Sequence, residues 1–326
     1  MLAKYLDRFL DILLAPFAAI GVASMVAVSR LQSRLRICTW IFDKAGVYPI
    51  RHHYYSPLVY HSDLKHSLHA QRTICGLDLN EPGQLELLNH FHYRDELEAI
   101  PLTSASEFGY GYDNKNFGSG DAEYLYCMVR HFKPRRILEV GSGGSTLVAQ
   151  LAIRANKNKD PAYLCQQICV EPYEQPWLER LGVTVHRSRI EDMPLQIVDE
   201  LEANDIFFID SSHVVRPQSD VVHEYLALLG RLKSGVAVHA HDIFTPSDYP
   251  AAWVLDNRRL WTEQYLLEAF LCFNREFEVI GALNWLWHNH RDRAAAVCPI
   301  LAGQPSREPG SFWFRRKYAS SLGEMT

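Results

Sequence analysis

Residues 136–146 read RILEVGSGGST. A short apolar run ends at Val140, three glycines follow at Gly141, Gly143 and Gly144, and a helical pattern opens at Ser145. Strand, glycine turn and helix in that order begin an α/β unit. Glycines at such a turn let a ligand approach the backbone, and the helix N-terminus favours an electronegative group. The dinucleotide spacing GxGxxG fails, because counting from Gly141 puts Thr146 where the third glycine belongs. Glu139 stands two residues before the first glycine, where it would repel a pyrophosphate and welcome a cationic amino-acid group.

The pattern around this turn is regular. A helix over 122–132 precedes it, and further apolar strands follow: one ending at Val170 and Glu171, then 183–186, 205–210 and 235–240. Helices fill the gaps, notably 220–233 and 261–274. Short apolar strands alternating with helices predict a parallel sheet covered on both faces. Residues 277–283 and 311–316 are also strand-like and suit an antiparallel finish interrupted by a helical insert. The expected class is α/β, a Rossmann-like doubly wound sheet, mostly parallel, with an antiparallel last strand and a helical N-terminal extension. Three segments are expected: 1–45, apolar and basic; 46–117, an extension and acceptor-side cap; and 118–326, the sheet domain. Within the second, GVYPIRHHYYSPL reads as extended chain, Asn80 as the cap of a short helix, and 103–120 as a loop able to close over a ligand.

The chain has 326 residues, 48% hydrophobic and 22% charged, enough for a sizeable core. A net charge of -5 argues against nucleic acid as a partner. The seven cysteines are odd in number and none stand as CxxC, which favours reduced thiols and a cytoplasmic setting. Residues 9–28 are apolar apart from Asp11, about the length of a bilayer span, yet Pro16 and Gly21 interrupt them. Basic residues flank both sides: Lys4 and Arg8 before, Arg30, Arg34 and Arg36 after. Symmetric flanks around a broken segment fit a shallow or re-entrant element with both ends on the cytoplasmic face of the cell membrane. The competing reading is a buried helix docked on the protein's own core or on a twin subunit of a homo-oligomer.

Acids gather at the carboxyl ends of the predicted strands: Glu139, Glu171, and Glu191 with Asp192. Open α/β sheets bind ligands there. Glu171 could take both hydroxyls of a ribose, and Glu191 or Asp192 lies in reach of an adenine amino group. At this point the sequence resembles the class I S-adenosylmethionine-dependent methyltransferases, over roughly 118–316. GDAEYLYCMVRHFKPRRILEVGSGGST is similar to the entry of catechol-type and bacterial small-molecule or sugar O-methyltransferases. The resemblance implies Glu139 near the methionine part of the cofactor, with Gly141, Ser142, Gly143 and Ser145 forming the turn. It also implies Glu171 on the ribose, Glu191 or Asp192 near adenine, and Asp121 and Asp210 completing the cofactor set. Ser145 departs from the pattern, since many members carry another glycine there.

Residues 238–246, VHAHDIFTP, close the fifth strand. The resemblance implies a divalent metal held by Asp210, His241 and Asp242, with His213 as general base. The family's acid–amide pair has become His241–Asp242, which replaces one oxygen ligand by imidazole and would tilt the site from magnesium towards manganese, iron or zinc. Alternatively there is no metal, and His213 or His241 acts alone on the acceptor. His239 lies a step deeper on the strand and reads as a core histidine. Asp248, Tyr249 and Trp253 read as a loop above the site, and the RHHYY run as aromatic packing or a pocket lining. The expected activity is O-methylation of a hydroxyl on a sugar, glycan or other small molecule. The alternatives are a non-catalytic S-adenosylmethionine-binding module tethered at a membrane, and a nicotinamide-dependent oxidoreductase.

Overall fold

The computed structural model describes residues 2–31, 34–106, 108–114 and 116–318. The chain divides into two compact units, Met1–His66 with Ala251–Leu260, and Ser67–Pro250 with Trp261–Thr326.

The first unit includes the α-helices α1 (Leu2–Leu31) and α2 (Arg36–Ala45). The expectation that Pro16 breaks the apolar segment is not met, because α1 runs continuously through it. Gly46, in the left-handed region at φ 66°, ends α2, and its N–H donates to the Asp43 carbonyl. The RHHYY residues belong to this unit. Tyr54 and Tyr55 are exposed, and His52 pairs with Asp63 at 2.9 Å.

The second unit is built on a seven-stranded sheet. In chain order its strands are β1 (Arg136–Val140), β2 (Gln166–Val170), β3 (Thr184–His186), β4 (Ile206–Ile209), β5 (Ala237–Ala240), β6 (Phe277–Ala282) and β7 (Phe312–Arg316). They lie in the spatial order 3-2-1-4-5-7-6. β1 to β5 pair in parallel, while β7 inserts antiparallel between β5 and β6. The Rossmann-like expectation is therefore met, including the antiparallel last strand. An interior position explains why β7 reads Phe-Trp-Phe: both of its faces are covered, and Phe312, Trp313 and Phe314 are fully buried.

The helices of this unit include α3 (Glu81–Asn89), α4 (Arg94–Glu98), α5 (Asp121–Phe132), α6 (Gly144–Lys159), α7 (Asp220–His223) and α8 (Glu263–Leu271). α7 continues through wider and tighter turns as far as Arg231. Residues 283–302 form the helical insert between β6 and β7. The start of α3 corrects one expectation. Asn80 precedes it, but its side chain makes no capping bond and instead donates to the Val279 carbonyl at 2.9 Å. Ion pairing ties α4 to α5, with Arg130 Nε donating to Glu96 at 2.8 Å and Nη2 at 2.9 Å.

Candidate functional site

The glycine turn is wedged between two strands. Gly141 N donates to the Val170 carbonyl at 3.1 Å, and Asp210 N donates to the Val140 carbonyl at 2.9 Å. Gly141 sits at φ +74°, and a β-carbon placed there would lie 1.9 Å from the Asp210 carbonyl oxygen. Only glycine meets both demands. Gly143 is different: its backbone is extended, and an added β-carbon would find only the Gln175 amide at 3.8 Å. The turn thus presses on β4 at one end and leaves open room at the other.

Glu139 works from beneath this turn. Its carboxylate accepts hydrogen bonds from Ser145 Oγ (2.6 Å), Thr146 Oγ1 (2.8 Å) and Gln167 Nε2 (3.0 Å), with the Cys169 thiol at 3.6 Å. It is only 1% exposed. Burial pushes its pKa up to about 7 against the pull of those donors. Glu139 and Ser145 therefore lock the start of α6. Glu171 caps the adjacent backbone: its carboxylate accepts from Ser142 N (3.2 Å), Tyr173 N (2.9 Å) and Glu174 N (2.9 Å). Three of roughly four lone-pair positions are then used, leaving one for a ligand.

The two acids expected near adenine behave differently from each other. Asp192 is paired bidentately with Arg189 on the surface, at 2.8 and 3.1 Å. Glu191 is more enclosed, 3.7 Å from the same arginine. Asp121 accepts from Gly310 N and Ser311 N, both at 2.8 Å, and so fixes the approach to β7.

The segment read as a closing loop is pinned over its described part. Tyr110 Oη donates to the Phe117 carbonyl at 2.7 Å, and Asn114 accepts from Phe117 N at 2.7 Å. Phe117 is buried, 5.1 Å ring to ring from His241, and a β-carbon on Gly144 would lie 3.0 Å from its side chain. It fills the space between the glycine turn and β5. The composition of the loop hid this, since Gly, Ser and Asn suggest solvent rather than packing.

At the carboxyl ends of β4 and β5 the structure brings Asp210, His213 and Asp242 together. His213 Nε2 lies 3.3 Å from Asp210 Oδ1 and 3.8 Å from Asp242 Oδ2, while Nδ1 meets Glu263 Oε2 at 2.7 Å. The two aspartates are partly accessible, at 30% and 19%, but the imidazole beneath them is almost fully covered. His213 (φ 60°) and Asp242 (φ 57°) both hold left-handed backbone conformations, which concentrates strain at this spot. Gly310 allows it for Asp242, because a β-carbon there would lie 2.9 Å from the Asp242 α-carbon.

Charge follows from this geometry. Burial opposes protonation of His213, but its bonds to Asp210 and Glu263 outweigh that and raise its pKa well above the ordinary imidazole value. An acid beside each ring nitrogen favours a proton on each, the imidazolium form. Burial also opposes ionisation of Asp210, yet His241 and His213 hold its carboxyl below the usual range. Asp242 goes the other way: burial, reinforced by Asp210, raises its pKa against the pull of His241 and His213. One carboxyl of the pair is thus held ionised, while the other sits closer to taking up a proton.

Glu263, buried at the start of α8, was not expected from the sequence. Besides His213 it accepts from Tyr225 Oη at 2.8 Å. Trp261 packs against the His213 ring, tilted by 44° with the ring centroids 4.2 Å apart. An acid in the first turn of a helix reads as ordinary helix-dipole chemistry, so no local signal marked Glu263.

The expected metal set fits poorly. Among the described residues no group of three or more His, Cys, Asp and Glu side chains is arranged to hold an ion. The position between Asp210 and Asp242 is instead faced by the His213 Nε2–H. His241 Nε2 lies 3.5 Å from Asp242, and its Nδ1 is buried without a hydrogen-bond partner. His239 is a core residue as expected, stacked at 4.0 Å on Phe208 and bonded to Ser311 Oγ at 3.1 Å. Asp248 and Tyr249 lie in a loop tied to α8: Tyr249 Oη accepts from Gln264 N at 3.0 Å, and Asp248 bonds to Tyr265 at 2.9 Å. Trp253 lies in the other compact unit, close to Arg259.

Residues 138–243, from β1 to just past Asp242, match the family model described as a methyltransferase domain. That stretch is similar to a methyltransferase domain. An uncharacterized protein of Archaeoglobus fulgidus is 28% identical over 156 residues, spanning 45% of this chain and 68% of its own. Among solved structures, an O-methyltransferase from Bacillus cereus in complex with SAH aligns at TM-score 0.38 and 15% identity, covering 71% of this chain and 91% of its own. The plantazolicin methyltransferase BpumL in complex with SAH aligns at TM-score 0.38 and 9% identity, covering 73% and 97%. The matched region contains every strand-end acid from Glu139 to Asp242.

Proposed function

We propose that the methyltransferase domain binds S-adenosylmethionine on the Gly141 turn and methylates a hydroxyl oxygen of a small acceptor, with a sugar or glycan as the first class to test. The observation that carries this reading is the crevice itself. A glycine turn locked on Asp210 faces, across β4 and β5, a carboxylate pair with divergent proton affinities held around one imidazolium. The open side of Gly143, the remaining lone-pair position of Glu171 and the enclosed Glu191 are suited to hold the amino-acid, ribose and adenine portions of the cofactor. Bound S-adenosylmethionine would supply an electrophilic methyl carbon.

The residues of this chain then have separate tasks. Asp242 accepts the proton of the acceptor hydroxyl as that oxygen becomes the nucleophile, because it is the accessible carboxyl with the raised affinity. The buried imidazolium of His213 keeps Asp210 ionised and steadies the anionic character that develops at the acceptor oxygen. Glu263 and Tyr225 hold the ring so that Nε2 faces the carboxylates. This division gives His213 an electrostatic rather than a basic role, and it needs no metal.

Calorimetric titration with S-adenosylmethionine, S-adenosylhomocysteine and NADH tests the cofactor assignment. Micromolar binding of the first two and none of the third is expected; binding of NADH alone would overturn it. Methyl transfer to a panel of sugars and phenols then tests the site. Asp242→Asn is expected to lower kcat by about 10²–10³ with S-adenosylhomocysteine affinity unchanged. Full activity in Asp242→Asn would remove the assigned proton acceptor.

A further inference from the structure

Helix α1 lies outside the methyltransferase domain, and the proposed reaction does not use it. From Arg8 to Leu31 it is long and apolar enough to cross a membrane, and only 6% of its apolar window is buried in the molecule. The exposed side chains do not form a stripe. Ile12, Phe9, Phe17, Leu14, Met25 and Val22, taken in order around the axis, point to every side of the helix and are all exposed. A helix that docks on a core or on a twin needs one apolar face; a helix apolar all round needs an apolar solvent.

Four further features agree. The stretch between Arg8 and Arg30 is about 32 Å long at ~1.5 Å per residue, close to the ~30 Å hydrocarbon thickness of a bilayer. The hydroxyls of Ser24 and Ser29 donate to the carbonyls of Gly21 (2.7 Å) and Val26 (3.0 Å) within the helix, so neither needs water. Pro16 is carried without a break, as in membrane helices. Finally, α2 presents Ile37, Trp40 and Ile41, at i, i+3 and i+4, as one exposed apolar edge beside Arg34 and Arg36. That is the composition of a helix lying at the headgroup level, with tryptophan at the boundary and arginines on lipid phosphates. We infer that α1 spans a lipid bilayer and that α2 lies in its interface.

The test uses the full chain, extracted in detergent and reconstituted with vesicles of phosphatidylcholine and phosphatidylglycerol. Flotation on a density gradient that survives carbonate and high salt is expected, together with quenching by brominated lipid that falls in Trp40→Phe. The double substitution Ile12→Arg and Ile20→Arg changes exposed positions only; it should cut the floated fraction at least ten-fold while circular dichroism and S-adenosylhomocysteine binding stay unchanged. The inference is overturned if the wild-type chain stays with the soluble fraction, including as a detergent-free dimer. It is equally overturned if carbonate releases the chain, or if the mass of the mature protein shows α1 removed. Cofactor binding is scored separately, so either proposal can fail without the other.

Discussion

At the scale of single residues, two positions carry sharp expectations. Gly141→Ala puts a β-carbon against a backbone oxygen at a left-handed φ, and no rotamer relieves a backbone clash. A loss of about 2–4 kcal/mol in chemical denaturation is expected, with S-adenosylhomocysteine binding abolished. Glu139 is a pH reporter. Its folded pKa, about 7, lies above the ordinary 4.5. Its contribution is therefore fully present below about 4.5 and lost as pH rises through 7, on the order of 3 kcal/mol in all. Glu139→Gln should flatten the stability profile across that window, and an unchanged slope would show that another group titrates. Asp242 has the opposite signature in the rate. If Asp242 accepts the acceptor's proton as proposed, the acid limb of kcat/KM should fall at a pH above the usual carboxylate range and change in Asp242→Asn.

At the scale of elements, the contacts that hold helices to strands are tested most directly by the α4–α5 pair. Arg130 is nearly buried and bonded bidentately to Glu96, so Arg130→Ala should cost about 3–5 kcal/mol, read by urea denaturation. Glu263→Gln should be milder for folding but should lower kcat more than it raises KM, because His213 loses its second carboxylate. Most of the elements themselves were legible beforehand. The unbroken apolar run of β4, Ile206–Ile209, left little ambiguity, and β1 begins and ends where its pattern does. Contacts made across long sequence distances were not legible. The Asn80 amide bonds to Val279 instead of capping α3, Phe117 packs inside a segment of loop composition, and Glu263 reaches His213 fifty residues away. Periodicity reports which face of an element is buried, but not what lies on the other side. The site was therefore half visible: its acids could be counted at strand ends, while their charge states depended on neighbours that the sequence does not announce.

At the scale of the molecule, all seven cysteines are free thiols, so dithiothreitol should leave the thermal midpoint unchanged, as checked by scanning fluorimetry. The strand order has a further result. β5 is flanked on one side by β4, but its other neighbour, β7, comes about seventy residues later. Gly310 at the entrance to β7 also bonds to Ile243 and packs on Asp242, while Asp121 holds Gly310 from below. On a ribosome, β1 to β5 and the glycine turn would be synthesised well before the strand that completes them. Asp242 lacks the Gly310 contact beside its strained backbone until that strand arrives. A nascent chain could thus form its cofactor-side crevice early yet remain chemically silent, and the capacity to act on an acceptor would mark the end of folding.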